Sequence, residues 1–380
     1  MLICFFFFIF GVGFACRKHA KSVESFVLGG RAVGPWLTAF AFGTSYFSAV
    51  VFVGYAGQFG WNFGLASTWI GLGNAFIGSL LAWQILGRRT RIMTQHIDSK
   101  TMPDFFQKRY GSKALKIAAS IIVFVFLIPY TASLYNGLSS LFGIAFDVPY
   151  WACIVVMAVL TGLYVIFGGY MATAINDFIQ GVIMLVGIVA VIVATLKVNG
   201  GLAVSVNLLA EKSGSEYASI TGPNPVFLIV VVLLTSLGTW GLPQMVGKFY
   251  AISNESAIKK GTLISTVFAV IVAGGCYFLG GFGRLFVTPE QVAAKGFDSI
   301  VPTMLSSLSP YIIGIVIVLV LSASMSTLSS LVLTSASALT LDVILPAKKR
   351  QVTEKTKINT MRWFILFFIV LSAVIAVLKD

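Results

Sequence analysis

The segment Leu321–Ser335 reads LSASMSTLSSLVLTS and lies within an apolar run, Tyr311–Leu339, that is hydrophobic enough to cross a bilayer. Eight of its fifteen residues carry a hydroxyl group. Isolated hydroxyls are tolerated in membrane helices because they can donate to a carbonyl of the preceding turn. Here the i, i+3, i+4, i+7 spacing places polar positions on one helix face. That face comprises Ala323, Ser326, Thr327 and Ser330. A line of oxygen atoms suits a small hard cation, so the segment predicts an ion site.

The composition indicates a membrane protein with several spans. Hydrophobic residues make up 58% of the chain and charged residues 10%, whereas soluble domains carry roughly 25% charged residues. The formal net charge of +13 is compatible with nucleic-acid binding. However, the basic residues cluster between apolar runs, as residues that set membrane topology do. We therefore expect the lipid bilayer as a partner and no nucleic acid.

Cysteine and histidine give no sign of a metal or catalytic centre. The four cysteines lie in apolar runs without paired spacing, and both histidines lie in basic loops. The apolar runs also contain no nucleophile–base pair. We therefore expect no disulfide and no enzyme activity.

The chain divides into ten apolar runs, which we number as spans zero to nine. Within one transporter domain, residues 1–380, span zero (residues 1–16) is an extra N-terminal helix. Residues 35–196 hold spans one to five, the last expected at Phe178–Leu196, and residues 225–378 hold spans six to nine. Alternate loops carry 21 and 5 Lys and Arg residues, with Lys248 counted in the richer set. Because positive loops stay inside, we expect a multi-pass protein of the plasma (inner) membrane with its N-terminus outside.

Two spans carry matching interruptions. Residues 43–48 (GTSYFS) interrupt span one, and Gly238, Trp240, Gly241 and Pro243 interrupt span six. Kinks also occur in ordinary membrane helices, but interruptions at corresponding positions of two inverted halves point to a transporter's binding site. The two interrupted spans are five helices apart. An odd number of helices in each repeat makes the second repeat cross the membrane in the opposite direction to the first. We expect an all-α, five-plus-five inverted-repeat fold whose second repeat is incomplete, as in a chain truncated at its C-terminus.

Several stretches carry a more specific signal. They are Phe26–Arg31 (FVLGGR), Thr101–Phe106 (TMPDFF), Gly162–Gly169 (GLYVIFGG) with the following Asp177 and Gln180, Trp240-Gly241, and Met325–Ser330 (MSTLSS). In this order they resemble the sodium/solute symporter family, which includes bacterial sodium/proline and sialic-acid transporters and animal sodium/glucose transporters. The resemblance covers nearly the whole chain and implies sodium as the coupling ion and sole cofactor.

The resemblance implies a primary sodium site between spans one and eight. Its ligands would be the carbonyls of Thr44, Phe47 and Ala323 and the hydroxyls of Ser326 and Thr327. The residues agree with this assignment, because unwinding of span one frees carbonyls that a helix would otherwise use. The site contains no carboxylate, so we expect weak, reversible binding.

A second sodium site is implied at Asp177, Ser329 and Ser330. Asp177 is expected at the inner start of span five. As a sodium ligand it would also lie on the inward exit path. The alternative is a carboxylate that complements the helix dipole.

The same resemblance places the solute against the interrupted parts of spans one and six. The candidate residues are Ser45, Tyr46, Tyr130, Ser236, Thr239, Trp240 and Gln244. Trp240 is equally explained as a packing residue. Arg31 resembles a coupling position, with a simple inside-positive anchor as the alternative.

No uncompensated charge is expected in spans one, two, three or six, and a strongly anionic solute would need one. A small zwitterionic amino acid such as proline, or a monocarboxylate, therefore fits better, and a sugar is the alternative. The function expected is sodium-coupled symport of a small organic solute by alternating access, carried out by a monomer. A symporter-like sensor domain is a different alternative, and a channel is disfavoured because no charged ring or filter motif is present.

Overall fold

The computed structural model describes residues 2–146, 149–347 and 352–378. In these ranges the chain is helical, with an isolated parallel bridge between Val33 and Ile252. The helices of the first half are α1 (Leu2–Cys16), α2 (Val23–Leu28), α3 (Pro35–Tyr46), α4 (Ala56–Phe63), α5 (Thr68–Gly73), α6 (Arg88–His96), α7 (Met102–Tyr110), α8 (Lys113–Phe146) and α9 (Tyr150–Val198). Those of the second half are α10 (Leu202–Ser213), α11 (Pro225–Gly238), α12 (Pro243–Ala251), α13 (Glu255–Ala269), α14 (Gly275–Gly280), α15 (Pro289–Lys295), α16 (Ile300–Ser306), α17 (Pro310–Ala338), α18 (Leu345–Ala347) and α19 (Glu354–Leu378). Wider π-helical turns join several of them, at Val50–Tyr55, Asn74–Leu81, Trp83–Gly87, Val270–Gly274 and Leu339–Ile344.

Six helical segments of the described residues are long and apolar enough to cross a membrane, or seven if the bent pair α11–α12 counts as one span. The longest, α9, has 49 residues. At about 1.5 Å per residue it is roughly 74 Å long, more than twice the ~30 Å hydrocarbon core of a bilayer. It turns sharply at Gly169, where φ is +55° and ψ is −147°. The bend therefore divides α9 into two helical segments, residues 150–168 and 170–198, each about as long as a bilayer is thick.

The bend in α9 requires glycine. A Cβ atom at Gly169 would lie 2.8 Å from the carbonyl oxygen of Phe26, and the positive φ is one that side-chain-bearing residues rarely adopt. The helix resumes directly after Gly169. The expected start of span five at Phe178 is therefore about two turns too late. Thr173, Asn176 and Asp177 are buried, and their polarity makes this interior helical stretch look like a loop in the sequence.

Two helix breaks lie where the sequence predicts them. α3 ends at Tyr46, and Phe47 has an extended backbone (φ −84°, ψ 112°) before π-helical turns resume at Val50. α11 and α12 meet at an angle of 52° across Leu242. The first break is enclosed by protein, since Phe47 and Ser48 are buried, and this makes it tolerable at membrane depth, whereas Gly238 and Gly241 at the second break are exposed.

The central helix is α17, which packs against α3, α8, α9, α12 and α19. Every residue from 319 to 333 is buried. α8, α9 and α19 carry large exposed apolar side chains on their outer faces, such as Phe126, Val186 and Phe367. α17 therefore forms the core of the bundle, and its hydroxyl groups face other helices and not lipid.

Candidate ion and solute sites

Five oxygen atoms from α3 and α17 converge beside the first helix break. The Ser326 hydroxyl lies 3.2 Å from the Thr44 carbonyl oxygen and 3.1 Å from that of Ala323. The Thr327 hydroxyl lies 3.2 Å from the Thr44 carbonyl, 3.4 Å from that of Phe47 and 3.1 Å from that of Ala323. All five residues are buried. These are the five residues that the family resemblance implies as the primary sodium site.

This cluster contains more acceptors than donors. Two hydroxyl groups offer two hydrogens, whereas three carbonyl oxygens surround them. The helix break at Phe47 and Ser48 interrupts the regular helical ladder and leaves carbonyls facing α17. An oxygen-rich, proton-poor cluster without a carboxylate is suited to a small monovalent cation. Among the described residues, no three His, Cys, Asp or Glu side chains come together as a site for a transition metal.

Asp177 and Ser330 come together, but around a lysine. The Lys248 Nζ atom lies 3.5 Å from Asp177 Oδ2 and donates a hydrogen bond of 3.0 Å to Ser330 Oγ. The side chains of Lys248 and Asp177 are 3% and 0% exposed. Ser329, the third residue predicted for this site, donates instead to the Ser326 carbonyl of its own helix at 2.9 Å.

The assignment of Lys248 to a loop is therefore wrong. Lys248 lies on α12, and its ammonium points into the bundle. The sequence places it near the end of an apolar run, where loop and helix end are hard to distinguish, and its partner Asp177 is distant in the chain. A signal was available, because isolated opposite charges in two apolar spans tend to pair inside a membrane protein.

The position of Asp177 does not fit the alternative explanation, in which its carboxylate complements a helix dipole. It lies two turns beyond the bend at Gly169 and not in the first turn of a helix. The stabilisation of a carboxylate by a helix dipole falls off within the first turn. The ion pair with Lys248 is the interaction that accounts for this buried charge.

The predicted solute residues of span six contact the π-helical turns Asn74–Leu81 and hold the second break against them. Ser236 Oγ donates to Asn74 Oδ1 at 3.1 Å. Thr239 Oγ1 lies 2.8 Å from the Ser236 carbonyl and 3.4 Å from that of Gly78. The Trp240 indole donates to the Ile77 carbonyl at 3.0 Å. Trp240 therefore has a polar partner as well as a packing role.

The other predicted solute residues, Ser45, Tyr46, Tyr130 and Gln244, do not lie together in one site. Tyr46 and Thr239 line a cavity of about 20 Å³ between α3 and α13. Gln244 is buried and has no hydrogen-bond partner among the described residues. It lines a second cavity, of about 50 Å³, with Lys248 and Ser330. Ser45 bonds to Ser330 at 2.9 Å and does not line the first cavity. Tyr130 is half-buried on α8 and lines neither cavity.

Arg31 joins two loops at one end of the bundle. Its guanidinium donates to Glu24 Oε1 at 3.0 Å, to the Ser99 carbonyl at 2.7 Å and to Asp98 Oδ1 at 3.5 Å. Arg31 has a φ of +54°, and Asp98 a φ of +45°. The two residues therefore pair across the loops in a backbone conformation that is costly without such contacts.

A second charged cluster lies beside Arg31 at this end. Lys116 lies 3.0 Å from Asp104 Oδ1 and 3.2 Å from Asp342 Oδ1, and Thr101 donates to Asp342 at 2.6 Å. Burial acts to raise the pKa of Asp104, but the hydrogen bonds and charges of Lys116 and Lys108 outweigh it and hold that pKa below its usual value. The cluster ties the ends of α7, α8 and α17 together.

Comparisons with known proteins are consistent with this geometry. Residues 26–380 match the family model described as the sodium:solute symporter family. Sodium/proline symporter 2 of Staphylococcus saprophyticus is 30% identical over 348 residues, covering 90% of this chain and 67% of the relative. The sodium/proline symporter of Escherichia coli is 26% identical and covers 99% and 76%, respectively. The osmoregulated proline transporter of Bacillus subtilis is 29% identical and covers 96% and 74%.

A solved structure shares the fold. It is the substrate-bound outward-open state of a Na+-coupled sialic acid symporter, with a TM-score of 0.84 over 99% of this chain and 79% of that chain. The sequence identity is 16%. This neighbour supports the predicted all-helical transporter fold.

Proposed function

The chain belongs to the sodium:solute symporter family, and on that premise we propose that it carries a small zwitterionic amino acid, proline first, into the cell together with sodium. The family's members are transporters and not enzymes, and the helices described above make this chain a multi-pass membrane protein. Sodium-coupled solute symport is the activity common to the family and its neighbour. The identity of the solute, the ion ligands and the topology are our proposal.

The observation that carries the proposal is the convergence of three carbonyl and two hydroxyl oxygens between α3 and α17. We assign this cluster as the sodium site. A sodium ion there would coordinate the carbonyl oxygens that lack a hydrogen-bond donor. It would also hold the break after α3 against the central helix, α17. Each sodium ion that crosses a potential of 100 mV releases about 2.3 kcal/mol, which would support solute accumulation.

The proposed solute site lies between the break in α3 and the break between α11 and α12. Ser236, Thr239 and Trp240 would fix the position of the second break through their contacts with Asn74–Leu81. The charges of Asp177 and Lys248 balance each other, so this region offers no net charge to a dianion. The end dipoles of interrupted helices can hold one carboxylate. The relatives named as sodium/proline symporters favour proline among such solutes.

The cavity between the breaks, about 20 Å³, has room for a water molecule but is too small for a solute. Alternating access would therefore open this region by movement of the broken helices. We propose that residues 35–196 and 225–378 are the two inverted repeats, that residues 1–16 are an additional helix, and that a monomer with an external N-terminus in the plasma membrane performs the cycle.

Uptake by the full-length protein in reconstituted liposomes tests the proposal. Radioactive proline should accumulate under an inward sodium gradient and not under an equal choline gradient. Unlabelled monocarboxylates, sugars and other amino acids, added as competitors, rank the solutes. Proline uptake that is the same in sodium and choline would contradict sodium coupling. Sodium-driven uptake of a sugar without proline uptake would contradict the assigned solute class.

A further inference from the structure

Lys248 and Asp177 form a buried ion pair, and neither side chain is a ligand of the sodium site proposed above. We propose that the Lys248 ammonium is a resident cation that fills the second cation position, so that the protein binds one sodium ion and not two. This inference rests on the proposed function, since it concerns how many sodium ions the same transporter binds.

The contacts of Lys248 are those expected of a bound cation. Its Nζ atom lies 3.5 Å from the Asp177 carboxylate and 3.0 Å from the Ser330 hydroxyl oxygen. These are two of the three residues that the family resemblance implies as ligands of a second sodium ion. The ring of Tyr170 lies 5.3 Å from the same atom, within the range of a cation–π contact. A monovalent cation therefore already lies among the predicted ligands.

The donors and acceptors around Ser330 form a chain that begins at the Lys248 ammonium. Ser45 Oγ donates its hydrogen to the Ala41 carbonyl at 2.6 Å. Ser330 must therefore donate to Ser45 across their 2.9 Å contact, because a hydroxyl carries one hydrogen. Lys248 in turn donates to Ser330. The chain of donors runs from the ammonium to the backbone of α3.

Charge balance argues against sodium in addition to Lys248. Asp177 is buried, and Lys248 supplies one positive charge for its one negative charge. The nearby buried carboxylate of Asp342 is engaged by Lys116 and Thr101. A sodium ion bound beside Lys248 would have to share this single carboxylate with the ammonium, and the two like charges would repel each other.

The arrangement also couples the lysine to the sodium site. Thr44 and Ser45 are adjacent in α3, and Ser326, Thr327 and Ser330 lie within about one turn of α17. Sodium at the first position would join α3 to α17, and Lys248 at the second contacts α17 at Ser330, which in turn bonds Ser45 of α3. Because Lys248 lies on α12, just after the bend at Leu242, its ammonium would move with the broken helix of span six.

A small cavity borders the amine of this ion pair. Lys248, Gln244 and Ser330 line the cavity of about 50 Å³, which exceeds the space that a water molecule needs. Asp177 Oδ1 has no hydrogen-bond partner among the described residues. Replacing Lys248 with Met should therefore open a carboxylate-containing site to sodium.

Equilibrium binding of radioactive sodium to the purified full-length protein, without solute, tests this inference. We expect one sodium ion per wild-type protein, two for Lys248→Met, and one again for Lys248→Met/Asp177→Asn. Lys260→Met removes an exposed lysine from the neighbouring helix α13 and should bind one. Thr327→Ala in the wild-type background should bind its one sodium ion about fivefold more weakly than the wild type does.

The outcomes separate this inference from the proposed function. Two sodium ions on the wild type, or one remaining on Thr327→Ala at the wild-type affinity, would overturn the resident cation and leave symport intact. A folded Lys248→Met variant that still binds one would also overturn it. If that variant does not fold, the wild type and Thr327→Ala decide the question. A wild-type count of zero would overturn sodium coupling itself, and with it this inference.

Discussion

The Thr327 hydroxyl lies 3.2 Å from the carbonyl oxygen of Thr44, although 283 residues separate them in the chain. The contact joins the end of an unwound helix to the middle of the most buried helix in the bundle. Thr327 also lies within reach of the carbonyls of Phe47 and Ala323. One side chain thus connects all three carbonyls of the proposed sodium site.

Thr327→Ala should raise the sodium concentration needed for half-maximal proline uptake about fivefold. The variant removes one oxygen ligand, and a hydrogen-bond-sized interaction contributes about 1 kcal/mol. Thr327→Ser keeps the oxygen and should remain close to wild type. Thr360→Ala is a matched control, because that hydroxyl donates to the Thr356 carbonyl within α19. An unchanged sodium dependence in Thr327→Ala would contradict the assigned site.

Trp240→Phe should raise the KM for proline several-fold and leave the half-saturating sodium concentration nearly unchanged. The variant keeps the aromatic packing and removes the donor to the Ile77 carbonyl, an interaction of about 1 kcal/mol. Initial rates at varied proline and fixed sodium measure the effect. Trp363→Phe, on the exposed face of α19, is the control. Equal changes in both apparent affinities would show that Trp240 does not act on the solute alone.

Much of the ion site is readable from the sequence because it depends on local patterns. The hydroxyl stripe of α17 and the small, polar residues 43–48 each have a physical reason to lie at a buried helix break. Their pairing comes from the resemblance to the family. The structure then brings Ser326 and Thr327 within 3.2 Å of the Thr44 carbonyl.

The errors concern polar residues whose partners are distant. Lys248 looks like a loop residue in the sequence because nothing next to it in the chain compensates its charge, and the compensating Asp177 is contributed by another helix. Span five is predicted to begin at Phe178 and not directly after Gly169 for the same reason, since buried polar positions and solvated ones look alike in a single sequence. Tertiary pairing determines both, and hydropathy does not report it.

The double variant Lys248→Met/Asp177→Asn should be more stable to heat than either single variant. Removing one partner of a buried ion pair costs about 3–5 kcal/mol, because an uncompensated charge remains in the interior, whereas removing both charges costs much less. Thermal unfolding of the detergent-solubilised proteins in choline buffer measures the order. Additive losses in the double variant would show that the two charges do not stabilise each other.

Gly169→Ala should destabilise the protein by about 1–3 kcal/mol, the usual cost of a strained backbone position. Its φ is +55°, and the added Cβ would lie 2.8 Å from the carbonyl oxygen of Phe26. Gly11→Ala is the matched control, because a Cβ there meets nothing within 4 Å. The midpoint of thermal unfolding should fall for Gly169→Ala and not for Gly11→Ala. Equal midpoints would contradict the tight crossing of α2 and α9.

Arg31→Lys should lower the rate of sodium-driven uptake without lowering the amount of protein in the membrane. Lysine keeps the positive charge but cannot reproduce the guanidinium contacts with Glu24, Asp98 and the Ser99 carbonyl. Hydrogen bonds that involve a charged group contribute about 1.5–3 kcal/mol, so we expect a loss of at least several-fold. Arg89→Lys, at an exposed position of α6, should transport normally. Full activity in Arg31→Lys would identify Arg31 as a topology anchor, since an anchor needs only the charge, and would remove it from the coupling machinery.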